Sequence, residues 1–218
     1  MAFSDGGDDI PVHGVMRWNE LSISRAAHAA GIAPAVYHQE PGALVLESLS
    51  AAKARGAKIL GVIHGCGERA DDFHRTRSKP DGSPIIATIA AGIADAGMEP
   101  SDIDYINAHG TSTPLGDQAE VSAVKTLFGD HAYSLAMSST KSCTGHTLGA
   151  AGGVESIAVV KAIQDGVMPP TINLENPDDG FDLNFVANTA QERTIKLALN
   201  NSFGFGGHNV SLAFAAFT

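Results

Sequence analysis

The chain has 218 residues, 44% of them hydrophobic and 17% charged, and this balance indicates a well-packed globular protein with one sizeable core or two small ones. Its formal net charge of −10 excludes general nucleic-acid binding, which needs a basic surface. No apolar run approaches the roughly 20 residues of a membrane span. Two cysteines, Cys66 and Cys143, give no disulfide framework, so we expect a cytoplasmic protein.

The first part of the chain divides at residue 42. Residues 1–41 hold the only tryptophan, Trp18, and an amphipathic stretch at 22–30, but no clean strand, so we assign them to no domain. From residue 42 onward, helical and extended patterns alternate. In chain order, the pattern predicts a helix at 49–55, a strand at 57–64, an irregular polar segment at 65–83 and a helix at 84–96.

The second part of the chain continues this alternation and then changes character. It predicts a strand at 103–108, a helix at 116–128, a short strand at 135–138, a long helix at 146–165 and then strands at 183–186, 195–200 and 209–217. Alternating helices and strands followed by hairpin-like strands indicate an α/β fold with a mixed sheet. We treat residues 42–218 as one domain.

The predicted helix at 146–165 has almost no polar face, and glycines stand at positions 145, 149, 152 and 153. Each glycine inside a helix costs about 1 kcal/mol relative to alanine. A helix that tolerates this cost is expected to be packed closely on both sides, between two layers. One sheet of this chain can cover one side, so the other side calls for a second sheet that the chain hardly has room to supply.

Two histidines occupy glycine-rich turns at element boundaries. His109 follows the predicted strand at 103–108, and His146 opens the predicted long helix. Either one alone is as often a core or loop residue as a functional one. Two imidazoles facing one pocket would form a donor pair for a carbonyl oxygen, or a base and a donor. The positive end of the helix dipole would favour the neutral form of His146.

Charged residues near these turns are candidate partners for the imidazoles. Lys141 precedes His146 by one short turn, and Glu155 and Asp117 could balance its charge. This arrangement favours a site in which a lysine and two carboxylates set the local charge. We expect no metal and no cofactor.

A metal site is the alternative chemistry. Cys143 and His146 have a C-x-x-H spacing, and His109 and His208 could complete four ligands, although no paired carboxylates support such a site. Cys143 could also be a nucleophile, but a small apolar filler in a tight turn is the simpler interpretation. Cys66 follows a strand and has no base nearby in the sequence.

A third glycine-rich turn lies at 201–209, where the backbone can approach a ligand closely. Phe205 is flanked by glycines in this turn, which suggests a gate or else a plain turn with one buried aromatic. The basic run from Arg69 to Lys79 stands out in an acidic chain. Such a run is usually a solvated loop, yet it could guide an anionic partner toward the pocket.

The three turns together resemble those of the β-ketoacyl-[acyl-carrier-protein] synthases, the condensing enzymes of fatty-acid synthesis. The matching strings are Asn-Ala-His-Gly-Thr-Ser-Thr-Pro-Leu-Gly-Asp at 107–117, Ser-Thr-Lys-Ser-Cys-Thr-Gly-His-Thr-Leu-Gly-Ala-Ala-Gly at 139–152, and Asn-Ser-Phe-Gly-Phe-Gly-Gly at 201–207. The resemblance runs from residue 42 to the end. It implies a thiolase-like fold, stacked as α-β-α-β-α, of which this chain would hold the C-terminal half.

The resemblance also implies roles for individual residues. His109 and His146 resemble the pair that binds the malonyl thioester carbonyl and supports decarboxylation, and Lys141 resembles the family's active-site lysine. Asp117 and Glu155 match the charged neighbours of that lysine. Thr111 and Thr113 match the threonines that bind the phosphopantetheine arm, and Phe205 matches the gating phenylalanine. The implied partner is an acyl carrier protein that delivers the malonyl group.

The sequence departs from the family at the acyl-accepting cysteine, because neither Cys66 nor Cys143 matches it. Two hypotheses follow. In the first, the chain is a condensing enzyme that supplies the malonyl side of the site. In the second, it is non-catalytic and acts only as a homo-oligomer or with a complementing chain. We expect that the isolated chain does not catalyse condensation and that it exposes an apolar face.

Overall fold

The computed structural model describes residues 10–15 and 42–218. Its strands and longer helices, in chain order, are β1 (Ile10–Val15), β2 (Leu44–Leu46), α1 (Leu49–Ala54), β3 (Gly61–Ala70), α2 (Ser83–Asp95), β4 (Tyr105–Asn107), α3 (Pro114–Phe128), β5 (Ala136–Ser138), α4 (Lys141–Thr144), α5 (Ala151–Asp165), β6 (Val167–Met168), β7 (Gln191–Glu192), β8 (Leu197–Gly204) and β9 (His208–Ala215). Single 3₁₀ turns lie at Pro100–Asp102, Gly129–Tyr133 and Leu148–Ala150. The predicted amphipathic stretch at 22–30 lies outside the described residues.

Seven strands form one sheet in the order β2-β1-β3-β9-β8-β4-β5. β4 runs parallel to β5 and β8, whereas β9 is antiparallel to β8 and β3. The prediction of an α/β fold with a mixed sheet is therefore confirmed. The expectation of no strand before residue 42 was wrong, because β1 pairs with both β2 and β3. The division into domains at residue 42 stays a prediction.

Helices cover both faces of this sheet. On one face, Ile85, Ile89 and Ile93 recur along one stripe of α2 and pack with the buried side of α3 against the sheet. On the other face, Val159 and Val160 of α5 pack against a cluster of buried apolar side chains. Among the described residues, no helix is both long and apolar enough to cross a membrane.

β3 is longer than predicted and occupies part of the segment that we expected to be irregular. Its glycines look like loop residues in the sequence, but they allow α2 to lie directly against the strand. A Cβ atom on Gly67 would stand 2.0 Å from the carbonyl oxygen of Thr88, and one on Gly65 would stand 2.5 Å from that of Gly92. Along one edge, β3 pairs with β9 at eight register positions, from Val62 to Ala70.

The long helix begins later than predicted, at Ala151 instead of His146. Gly145 and Leu148 both have positive φ angles, of 75° and 52°, so the chain cannot continue as a helix through His146. The dipole argument for His146 therefore does not apply. Only the glycines at 152 and 153 lie inside the helix. One side of α5 is buried on the sheet, whereas Val154 and Ile157 on another side are only half-buried.

Two further boundaries differ from the prediction. Residues 183–186 form no strand, because Val186 has a positive φ of 52° and its N–H donates to the side chain of Asn184. Conversely, most of the turn predicted at 201–209 is strand, since β8 and β9 pair as far as Gly204 and His208. Only residues 205–207 form the connecting turn.

Candidate functional site

The predicted site residues follow three neighbouring parallel strands. β8, β4 and β5 lie side by side, and Asn107 at the end of β4 is in register with Ser138 and Asn200. Carboxyl ends of adjacent parallel strands meet at one edge of a sheet, which is where ligands bind in open α/β sheets. His109 follows β4, and Lys141 follows β5, so the fold brings together turns that are far apart in sequence.

The two histidines meet at this edge. Their ring centroids are 5.8 Å apart with the rings perpendicular, and the His109 ring also lies 5.5 Å from that of Phe203. Both imidazoles line a cavity of about 680 Å³. Its wall includes other predicted residues, namely Thr111, Thr113 and Phe205. The Oγ1 atoms of the two threonines are 3.2 Å apart.

The turn that carries His109 is held by a residue that the sequence analysis missed. The buried carboxylate of Glu120 accepts the backbone N–H groups of His109 at 3.0 Å and Gly110 at 2.9 Å, and the side-chain amide of Asn201 at 3.1 Å. Burial raises the pKa of Glu120, and these donors oppose the rise. Its signal in the sequence is a carboxylate between Ala119 and Val121 on the apolar side of α3.

Both imidazoles are held in the neutral form. Burial, with smaller effects of the Lys141 ammonium and His146, lowers the pKa of His109 to about 3. Burial and Lys141 also lower the pKa of His146. Nδ1 of His146 accepts the N–H of Leu148 at 3.3 Å, so the proton of the neutral ring lies on Nε2. Nδ1 of His109 is buried and has no partner among the described residues.

Lys141 and Glu155 form a buried ion pair behind the histidines, with side chains 4% and 1% exposed. Burial raises the pKa of Glu155 to about 7, against the opposing effect of Lys141. Asp117 is not part of this pair; burial raises its pKa, and the nearby backbone N–H groups of residues 111–113 oppose the rise. Of the two carboxylates proposed from sequence, one therefore balances the lysine and the other shapes the threonine turn.

A second cavity, of about 350 Å³, lies on the other side of the same turns. It shares Thr111 and His146 with the larger cavity and reaches Lys141 and Asp117. Its outer wall is apolar and includes Ile172, Leu174, Phe181 and Phe185. The histidine and lysine turns thus separate two spaces.

Phe205 lies at the tip of the turn between β8 and β9 and is 70% exposed. The turn is joined to the basic loop, because the N–H of Gly206 donates to the carbonyl oxygen of Arg75 at 2.7 Å and that of Asp71 donates to Gly207 at 2.8 Å. Arg75 and Arg77 line the larger cavity, which places part of the basic run beside the site.

In the described part of the chain, no three histidine, cysteine, aspartate or glutamate side chains are placed to hold a metal ion, so the four ligands considered from the sequence do not come together. Neither cysteine lines either cavity. The Sγ atom of Cys143 lies 3.6 Å from the carbonyl oxygen of Pro170, and the backbone N–H of Cys66 donates to Asp95. No cysteine of the described residues is therefore placed as a nucleophile for this site.

Comparisons with known sequences agree with this arrangement. Residues 60–175 match the family model described as "Beta-ketoacyl synthase, C-terminal domain". The chain is 51% identical over 173 residues to the 3-oxoacyl-[acyl-carrier-protein] synthase 2 of Synechocystis sp., which covers 79% of this chain and 42% of that protein. It is 53% identical over 169 residues to the protein of the same name from Coxiella burnetii, covering 78% of this chain and 41% of that one. The chain thus spans less than half the length of these relatives.

Solved structures give the same picture. A type II polyketide ketosynthase in complex with its acyl-carrier protein matches with a TM-score of 0.79 and 37% identity, over 81% of this chain and 43% of that chain. A β-ketoacyl synthase from Burkholderia phymatum matches with a TM-score of 0.77 and 30% identity, over 96% of this chain and 55% of that chain. The neighbours are thiolase-like ketosynthases, which confirms the predicted fold class.

Proposed function

The chain belongs to the β-ketoacyl synthase family, and on that premise we propose that it binds a malonyl thioester and supports its decarboxylation within the condensing reaction of fatty-acid synthesis. The observation that carries this proposal is the pair of neutral, perpendicular imidazoles at the larger cavity. The relatives named 3-oxoacyl-[acyl-carrier-protein] synthase 2 support it. Thr111 and Thr113 would bind the phosphopantetheine arm.

Neutral imidazoles suit this chemistry because each carries one N–H that can donate to a carbonyl oxygen. The Nε2–H of His146 would donate to the thioester oxygen, and His109 would supply a second donor. As the bond between Cα and the carboxylate breaks, its electron pair moves toward the thioester carbonyl and an enolate oxygen develops while carbon dioxide leaves. Donors aimed at a developing oxyanion stabilise the transition state.

The Lys141 ammonium would supply a positive charge near the imidazoles, and Glu155 would partly balance it. The Lys141 ammonium favours the developing oxyanion and disfavours protonation of both imidazoles. Asp117 would position the threonine turn through its backbone contacts. Phe205 would act as a gate, for which its position at the tip of the turn is suited.

The direct test uses malonyl-pantetheine labelled with ¹³C in the carboxylate. We expect the purified chain to release labelled carbon dioxide and acetyl-pantetheine. The variants His109→Ala and His146→Ala should lose about 100-fold or more of that rate, as expected when a general catalytic donor is removed. A matched control is His131→Gln, since His131 contacts Ile103 away from the cavities. Equal rates for all of these proteins would contradict the proposal.

We propose an acyl carrier protein as the partner that delivers the substrate. The related ketosynthase in complex with its carrier protein supports this. Arg75 and Arg77 line the larger cavity, where they would attract the phosphate of the phosphopantetheine arm. The double variant Arg75→Glu/Arg77→Glu should weaken binding of malonyl-carrier protein about tenfold or more at low salt. Binding of malonyl-pantetheine without the phosphate should not change, and Lys161→Glu on α5 is the matched control.

The second candidate function is non-catalytic, with the chain acting as a homo-oligomer or beside a complementing chain. The supporting observation is that neither cysteine lines a cavity, while large apolar side chains such as Val45, Leu46 and Leu148 are more than 40% exposed. We expect no carbon–carbon bond formation by the purified chain from an acyl donor and malonyl-carrier protein. Detection of a β-ketoacyl product would overturn this expectation. Light scattering with a hydrophobic dye tests the association, and a monodisperse monomer that binds no dye would count against it.

A further inference from the structure

The Asn107 side chain is fully buried and joins several elements at the centre of the site. Its Nδ2 donates to Oδ1 of Asn200 at 2.9 Å, and its Oδ1 accepts Oγ1–H of Thr140 at 3.1 Å and the N–H of Thr140 at 3.4 Å. Nδ2 of Asn200 in turn donates to Oγ of Ser156 at 3.0 Å and to the carbonyl oxygen of Gly152 at 3.3 Å. One chain of amides thus connects β4, the lysine turn, β8 and α5.

A buried amide in an otherwise apolar layer is costly unless its hydrogen bonds are made, and an amide makes them only in a specific geometry. Asn107 is 0% exposed and Asn200 is 3% exposed, so water cannot replace a lost partner. The bonds of Asn107 are therefore satisfied only when the strands and the lysine turn have the arrangement observed. Because breaking these hydrogen bonds is costly, the amide chain favours one arrangement of the strands and the lysine turn over others, and it also stabilises the fold.

The positions of the bonded residues show which parts of the site the amide chain connects. Asn107 stands two residues before His109, and Thr140 stands immediately before Lys141. His146 follows on the same segment as Lys141. A single side chain therefore links the backbone that carries one imidazole to the backbone that carries the other imidazole and the ammonium.

The other contacts of these turns hold different residues. Glu120 holds the His109 turn from the α3 side but makes no hydrogen bond to the lysine turn. The backbone bond from the N–H of Ala108 to Ser138 continues the strand pairing and ends before Thr140. Oγ of Ser139 donates to the carbonyl oxygen of Gly110 at 2.7 Å and so adds a second link between the turns, but the N–H and Oγ1–H of Thr140 both donate to Asn107. Removing the Asn107 side chain would therefore loosen the lysine turn while the strands stay paired.

We propose that Asn107 is a positioning residue that fixes the His109 turn relative to the segment carrying Lys141 and His146. Its importance for malonyl chemistry rests on the proposed function, whereas the geometric coupling itself does not. The residue touches no substrate position and acts through Thr140. The two imidazoles meet at a defined distance because the amide chain sets it.

The test follows the rings themselves in the whole chain with ¹³C,¹⁵N-labelled histidine. In the unmodified protein we expect a nuclear Overhauser effect between the rings of His109 and His146. Asn107→Ala should lose more than half of that intensity, and the pKa of His109 should rise by about one pH unit as the Lys141 ammonium moves away. Thr140→Val, which removes only the hydroxyl link, should shift both readouts in the same direction by a smaller amount.

The matched control is Ser156→Ala. It removes a buried hydrogen bond from the same amide chain but on the α5 side, so it should lower the unfolding midpoint and leave both ring readouts unchanged. If Asn107→Ala keeps the ring contact and the His109 pKa of the unmodified protein, the proposal is wrong. If Asn107→Ala fails to fold, Thr140→Val decides, and unchanged rings in that variant overturn the proposal.

Binding of malonyl-pantetheine to the unmodified chain, measured in the same samples, separates this proposal from the proposed function. Displaced rings in Asn107→Ala with no binding by the unmodified chain would refute the function and support the positioning role. Binding by the unmodified chain with undisturbed rings in both variants would refute the positioning role alone.

Discussion

His109 lies two residues after a buried strand, and Glu120 accepts hydrogen bonds from the backbone of its turn, whereas His146 lies exposed between α4 and the 3₁₀ turn before α5. The first imidazole is placed by tertiary contacts, and the second by local backbone geometry at Gly145 and Leu148. Their pKa values are both lowered, but burial dominates more strongly at His109. A donor pair can therefore be assembled from one rigidly supported residue and one that depends on its own turn.

The largest effect is expected at Lys141, because its ammonium acts on both imidazoles and lowers the pKa of each. Lys141→Met should lower the free energy of unfolding by about 3–5 kcal/mol at neutral pH, since Glu155 is left buried without its partner. The loss should be smaller at pH 5, where Glu155, with its raised pKa, takes up a proton. Urea unfolding at both pH values measures this. Lys161→Met, in an exposed pair, should change stability by less than about 1 kcal/mol, and similar losses for both variants would contradict the prediction.

Removal of the Glu120 side chain should affect the His109 turn and leave the His146 turn nearly unchanged. Glu120→Ala should cost about 3 kcal/mol, because the N–H groups of His109 and Gly110 and the amide of Asn201 lose their buried acceptor. Glu120→Gln keeps the shape and one acceptor oxygen and should cost less. Denaturant unfolding gives the stability, and histidine resonances should show His109 perturbed and His146 nearly unchanged. Equal perturbation of both rings would show that the turns are not supported separately.

The dependence of stability on pH should also differ between the two histidines. Since the pKa of His109 is lowered from 6.5 to about 3, the folded state disfavours its protonated form. Its contribution to stability is therefore present above about pH 6.5 and is lost as pH falls toward 3, by at most about 1.4 kcal/mol per pH unit. His109→Gln should flatten the curve of unfolding free energy between pH 6 and 4. His146→Gln should flatten it less, and the reverse order would count against the assignment.

The smallest expected effect concerns the local turn before α5. Leu148 has a φ of 52° and is 52% exposed, so its side chain adds strain and little burial. Leu148→Gly should stabilise the protein by about 0.5–1 kcal/mol, because glycine adopts this conformation without a steric cost. Leu148→Ala, which keeps the strain, is the control in thermal unfolding. A destabilised glycine variant would mean that the exposed leucine makes contacts that matter more than the strain.

The difference between the two turns also explains what the sequence could predict. The α/β class and the mixed sheet followed from hydrophobic periodicity, whereas the convergence of the His109 and Lys141 turns followed from the resemblance of their strings to the family. The start of α5 was placed too early, because the string around His146 has helical composition and nothing in it reveals the positive φ of Leu148. Backbone handedness at single residues is set by packing, which periodicity does not report.

Buried polar residues were missed for a related reason. Nothing in the sequence pairs Asn107 with Asn200, and only the sheet register shows that they meet. Likewise, only the packing of α3 against the sheet brings Glu120 to Asn201. The strand β3 was predicted too short, because the sequence does not distinguish a glycine that allows helix–strand contact from a glycine in a loop. Partner choice across a sheet is long-range information that a local pattern lacks.

The contact between β3 and α2 has a consequence for how this protein can change over time. At positions 65 and 67 the helix backbone occupies the volume that any side chain would need. A mutational scan should therefore find these two positions closed to every replacement, whereas Gly97, which has open space around it and a positive φ of 64°, should accept asparagine. Amino-acid changes, whether natural or engineered, would therefore fall in the turns at the sheet edge, while the glycines between β3 and α2 stay unchanged.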